Sequence, residues 1–140
     1  MDFLADTGFL IDLWRERGKS GAATRFARRN AARQVGICWV VAGEFMSGGL
    51  AANHDAEAIG DFLSRYPVVQ SSPHIVVEYA KLFAQLRRSN ELIGPNDLWI
   101  AACAVALDLP LLTANEAEFG KVPKLTIVAY RTLKEPDMWA

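Results

Sequence analysis

Apolar positions along this chain switch between two spacings. Short β-branched or aromatic runs alternate with longer stretches of helical period. Phe3 and Leu4 open a short strand that runs into Asp6 and Thr7. Phe9, Leu10, Leu13 and Trp14 then recur on one helix face, with the Thr7 hydroxyl as the cap and Gly18 as the stop. Residues 21–33 predict a second helix, with Ala23, Phe26 and Ala27 on one face and arginines elsewhere. The run VGICWV, 35–40, predicts a buried strand. The stretch VAGEFMSGGL after it predicts a short helix ended by Gly48 and Gly49.

The second half repeats the alternation. Residues 55–66 predict an amphipathic helix with Ile59, Phe62 and Leu63 inward, and Val68 and Val69 a short strand. Ser72 followed by Pro73 is a capping residue with proline at the first helical position, starting a helix to about Ser89. Gly94-Pro95-Asn96-Asp97 opens another helix that ends near Asp108. Residues 109–113 predict a strand, 115–119 a helical turn and 125–130 a last strand. This alternation predicts a three-layer α/β/α sandwich around a mainly parallel sheet. It forms one domain over residues 1–140, with a core at about 2–130. The short tail 131–140, with Trp139, matches no element.

Composition narrows the class. With 51% hydrophobic and 22% charged residues, the chain is not of the disordered kind. A net charge of −1 gives no global basic footprint for nucleic acid. Arg15, Arg17, Lys19, Arg25, Arg28, Arg29 and Arg33 nevertheless crowd the first quarter. They form either a solvated helix surface or a local phosphate-facing patch. Cys38 and Cys103 lie in apolar segments without a CxxC pair and read as small buried hydrophobes. His54 and His74 have no metal-ligand spacing and read as surface residues. No stretch reaches the length of a membrane span, and no signal-peptide pattern opens the chain, so the expectation is a soluble cytoplasmic domain.

The chemistry lies in the acids. Asp6 follows the first strand, Glu44 lies in the helix after VGICWV, and Asp97 opens its helix beside an apolar run. Asn115, Glu116 and Glu118 follow the strand at 109–113. In an open parallel sheet, ligands bind beyond the carboxyl ends of the strands, so these segments converge on one rim. Each acid alone has a plainer reading. Asp97 can serve a helix dipole, Asp6 can help a cap, and Glu118 can be a surface charge. Asp12, Asp108 and Glu78 read as solvated or helix-face charges. Converging carboxylates repel one another, and a divalent cation relieves that repulsion. An all-oxygen donor set fits Mg²⁺ or Mn²⁺ and the hydrolysis of a phosphodiester.

Three stretches, LADTGFLIDL, VVAGEFMSGGL and IGPNDLWIAACAVALDLPLLTANEAEFGKVPKLTIV, resemble the PIN-domain family over about residues 2–130. Within it they look most like the VapC-type toxins of bacterial toxin–antitoxin pairs. The resemblance implies a Mg²⁺- or Mn²⁺-dependent endoribonuclease, with Asp6, Glu44 and Asp97 matching the family's first three acids. Thr7 and Thr113 match site-lining polar residues. At the fourth acid the sequence departs from the commoner pattern. Asn115 stands where many members carry aspartate, and Glu118 follows about one helical turn later. On this basis Asp6 and Asp97 would bind the metal directly, and Glu44 and Glu118 would bind it through water or orient the attacking water. The resemblance also implies an RNA substrate, a cognate antitoxin, docking on the first helices near Leu13 and Trp14, and a homodimer. The alternative is a non-catalytic RNA- or partner-binding module on the same fold, for which Asn115 is the only support.

Overall fold

The computed structural model describes residues 1–133 of the chain; Trp139 lies outside the described residues. Five strands form one sheet in the order β3-β2-β1-β4-β5, and all four pairings are parallel. They are β1 (Phe3–Ala5), β2 (Val35–Cys38), β3 (Val68–Val69), β4 (Leu111–Leu112) and β5 (Ile127–Val128). Between β1 and β2 run α1 (Thr7–Glu16) and α2 (Ala22–Arg29), and between β2 and β3 run α3 (Trp39–Ala51) and α4 (Ala56–Leu63). From β3 the chain crosses through α5 (Pro73–Arg88) and α6 (Pro95–Leu107) to β4 on the far side of β1. The short α7 (Glu116–Phe119) joins β4 to β5.

Parallel neighbours require crossovers, and right-handed crossovers put the helices on opposite faces when the strand order reverses. The order reverses at β1. α1 accordingly packs on α2 and α3, α3 on α4, and α5 on α6. This is the three-layer sandwich that the alternation predicts. Leu4, Ala5, Ile37, Cys38, Leu111 and Leu112 are fully buried in the sheet, and Ile100 to Ala104 are fully buried on α6. Aromatic edges tie the layers together. Trp14 meets Phe62 at 5.4 Å and Phe45 at 5.9 Å, joining α1, α3 and α4, and Tyr79 stacks on Trp99 at 3.8 Å between α5 and α6. Among the described residues no helix is long and apolar enough to cross a membrane.

Three local expectations are corrected. α3 starts at Trp39, so the run VGICWV is strand only to Cys38. It then continues through Gly48 and Gly49 to Ala51 rather than ending there. Gly49 serves packing rather than a helix stop: a Cβ there would fall 2.6 Å from Cδ1 of Ile59, so the glycine lets α4 approach α3. The helix-stopping role given to Gly18 belongs to Arg17, which adopts the left-handed conformation at φ 50° and bonds back to the Leu13 carbonyl.

Candidate active site

Asp6 follows β1 and Thr113 follows β4, the neighbouring strands at which the strand order reverses. The Thr113 hydroxyl is buried and donates to Asp6 Oδ2 at 2.9 Å. The same Thr113 oxygen accepts the Asn115 backbone N–H at 2.9 Å. The other Asp6 oxygen accepts the Thr7 backbone N–H at 2.8 Å, so Asp6 itself caps α1. The capping role expected of the Thr7 hydroxyl is therefore corrected. That hydroxyl donates instead to Glu44 Oε1 at 2.7 Å, from α1 across to α3. The second Glu44 oxygen faces the side-chain amide of Asn96 at 3.4 Å.

Asp97 lies in the first turn of α6, beside these groups, while Leu98 and Ile100 anchor the helix in the core. Among the described residues no side chain donates a hydrogen bond to its carboxylate. Partial burial pushes its pKa up to about 6, with the negative charges of Asp6, Glu44 and Glu118 pushing the same way. Burial also pushes Asp6 up, against the hydrogen bonds from Thr113 and the Thr7 N–H, and Glu44 adds to the rise. Four acids from four separate elements thus share one electrostatic neighbourhood.

The fourth corner separates the two candidate residues. Asn115 is exposed, and its side-chain oxygen accepts the Glu118 backbone N–H at 3.4 Å, as the cap of α7. Glu118 is half-buried, interacts with Asp97 and lies 3.9 Å from Lys121. Asn115 therefore holds the turn, and Glu118 carries the charge.

The donor set is all oxygen, three of its carboxylates raise the pKa of the fourth, and this excess negative charge fits a hard divalent cation. Among the described residues no three His, Cys, Asp or Glu groups close into a cage. Mg²⁺ commonly takes only one or two carboxylates and keeps its waters, so the arrangement and that ion are compatible.

Sequence reasoning missed two features. Asn96 had a signal, since it directly precedes Asp97 in the helix-opening turn. Asp12 reads in the sequence as a helix-face charge, but it accepts from the Tyr130 hydroxyl at 2.5 Å and from Arg131 at 2.7 and 2.8 Å, tying α1 to the segment after β5. Only a partner more than a hundred residues away reveals that role. The arginine-rich quarter is exposed, but part of its donor capacity is taken up by nearby backbone. Arg25 and Arg28 each donate at 2.6 Å, to the Ser20 and Gly18 carbonyls.

An apolar cavity of about 180 Å³ borders Glu44 between α1, α3 and α4, lined by Ile11, Trp14, Phe45 and Ile59 among others. Of the first-helix pair, Trp14 faces this cavity and Leu13 a second one beside Phe9 and Phe26.

Residues 3–125 match the family model of the PIN domain. The chain is 25% identical over 127 residues to Ribonuclease VapC1 of Methanocaldococcus jannaschii, covering 91% of this chain and 85% of that protein. It is 27% identical over 128 residues to Ribonuclease VapC1 of Haemophilus influenzae, covering 89% and 95%. Among solved structures, VapBC-1 from nontypeable Haemophilus influenzae superposes with a TM-score of 0.78 at 27% identity, over 93% of this chain and 98% of that one. VapBC2 from Rickettsia felis, bound to a DNA fragment from its promoter, gives 0.79 at 25% identity, over 91% and 98%.

Proposed function

The chain belongs to the PIN domain family, and from that membership we propose that it is a metal-dependent endoribonuclease, the toxin of a toxin–antitoxin pair. The relatives named ribonuclease support the activity, and the solved VapBC structures, in which toxin and antitoxin are paired, support the partner. The observation that carries the reading is the convergence of Asp6, Glu44, Asp97 and Glu118 at the reversal point of the sheet, with Asp97 the most perturbed.

Mg²⁺ or Mn²⁺, when bound, supplies an activated water and neutralises charge on the scissile phosphate. Asp6 and Asp97 are the residues that would hold it. The Thr113 and Thr7 bonds fix Asp6 so that one carboxylate geometry is presented. Glu44 and Glu118 orient the attacking water and accept its hydrogen bonds, Glu44 from a position fixed by Thr7. RNA reaches the rim through its backbone, helped by the arginines of the first quarter. The apolar cavity beside Glu44 supports docking of an antitoxin segment there, where an apolar side chain would fill it next to the acids.

The test is cleavage of RNA by purified protein with Mg²⁺, with Mn²⁺ and with chelator, wild type beside Asp97→Asn. Metal-dependent cleavage by the wild type alone is expected. Cleavage unchanged in Asp97→Asn would overturn the site. No cleavage by a folded, metal-free or metal-loaded wild type would favour the non-catalytic binding module.

A further inference from the structure

Glu44 poses a physical problem. Its half-buried side chain has three rotatable bonds and two like-charged neighbours, Asp6 and Asp97. Repulsion and rotamer entropy both favour swinging it out to solvent. It is instead held in by donors from two different helices, the Thr7 hydroxyl of α1 on Oε1 and the Asn96 amide of α6 on Oε2. A carboxylate only accepts, so the amide presents its NH₂ end.

We propose that Asn96 is a positioning residue for the acidic site, its side-chain amide working with the Thr7 hydroxyl to keep the Glu44 carboxylate turned toward Asp6 and Asp97. The inference deepens the metal-site reading of these acids and rests on it.

Three observations support the role. Asn96 is exposed, and Glu44 is its one side-chain partner among the described residues, so neither core packing nor capping accounts for it. It stands next to Asp97 behind Pro95, whose fixed φ sets the start of α6, so one rigid turn delivers both an acid and the donor that restrains a second acid. An amide supplies the donor without adding a fifth negative charge. The 3.4 Å separation is long for a hydrogen bond, which makes this the weaker of the two restraints and gives it room to shorten when the site fills.

The experiment compares wild type, Asn96→Ala, Glu44→Gln and the double variant. Two readouts do not depend on catalysis: Mn²⁺ affinity by calorimetry, and the Asn96 side-chain NH₂ resonances of the metal-free protein. Asn96→Ala is expected to weaken Mn²⁺ about 10-fold, the low end for loss of a ligand-orienting partner, with the melting temperature almost unchanged. In the Glu44→Gln background the same substitution is expected to have no further effect, because Asn96 acts through Glu44. The Asn96 NH₂ resonances are expected to shift on Glu44→Gln. The inference is overturned if Asn96→Ala leaves Mn²⁺ affinity unchanged, if its effect persists in Glu44→Gln, if the resonances do not move, or if the wild type binds no Mn²⁺. A wild type that binds Mn²⁺ but cleaves no RNA overturns the ribonuclease reading and leaves the role of Asn96 standing.

Discussion

Thr113 and Asp6, 107 residues apart in sequence, meet through a buried hydroxyl–carboxylate hydrogen bond of 2.9 Å. Replacing Thr113 with valine keeps the shape and deletes the donor. The Asp6 oxygen then loses its partner inside the protein, at a cost of about 1–3 kcal/mol. We expect urea unfolding at neutral pH to register that loss, and metal-dependent cleavage to fall with it. Full stability in Thr113→Val would show that water replaces the hydroxyl.

Asp97 yields a prediction with a definite sign. Its folded pKa of about 6 lies above the unfolded value, so the protonated form is favoured by folding. The stabilisation it gives is complete below its ordinary value of 3.8 and is lost as pH rises through 6. Metal-free Asp97→Asn should therefore be more stable than wild type at pH 7.5, with the gap opening between about pH 4 and 6. A pH series of melting curves tests this; a gap independent of pH would rule it out. The same variant should lose cleavage by 100-fold or more, on the order of a removed metal ligand.

Metal addition should act oppositely. At about ten times Kd, Mg²⁺ or Mn²⁺ adds about 1.4 kcal/mol, which raises the melting temperature by several degrees. Chelation should reverse the rise. The gain should shrink at pH 5, where Asp97 takes up a proton. An equal gain at pH 5 and 7.5 would assign the metal to other groups.

Asp12 lends itself to a test of structure without chemistry. Burial works against ionisation, yet the bonds from Arg131 and Tyr130 hold its carboxyl below the usual range. Its contribution is therefore present above pH 3.8 and lost as pH falls through the lowered value. Asp12→Ala should destabilise the fold by about 1–3 kcal/mol at neutral pH, because it leaves the Tyr130 hydroxyl without its partner. Per folded molecule, metal-dependent cleavage should stay close to wild type. A large fall in cleavage by fully folded Asp12→Ala would draw this contact into the site.

For the arginine-rich quarter the measurement is salt dependence. Replacing Arg25, Arg28 and Arg29 by alanine should weaken RNA binding and flatten its log–log salt slope by up to about 2. An unchanged slope would leave all three as surface groups, with Arg25 and Arg28 serving the Ser20 and Gly18 carbonyls.

Much of this was legible because it is local. Alternating periods revealed the layers, and the rule that parallel sheets bind ligands at their carboxyl ends brought Asp6, Glu44, Asp97 and Glu118 to one rim. What escaped was long-range. Gly48 and Gly49 carry a strong stop signal, yet the helix runs through both; at Gly49 the approach of Ile59 accounts for the missing side chain. The Thr7 hydroxyl is a good cap by type, but the helix starts one residue earlier than that role needs, so Asp6 takes the cap position and Glu44 claims the hydroxyl. Asp12 has no local mark at all, since its partners Tyr130 and Arg131 lie at the other end of the chain.

The sheet order also sets when this site can exist during synthesis. Of the five strands β1 is made first, yet it occupies the centre of the sheet, and its β4 neighbour is made fourth. Asp6 must wait 107 residues for Thr113, about 5–20 s at ordinary rates of translation. Until then Asp97 and Glu118 have no strand to gather around. The acids of the proposed site therefore cannot come together until β4 has been made and paired with β1.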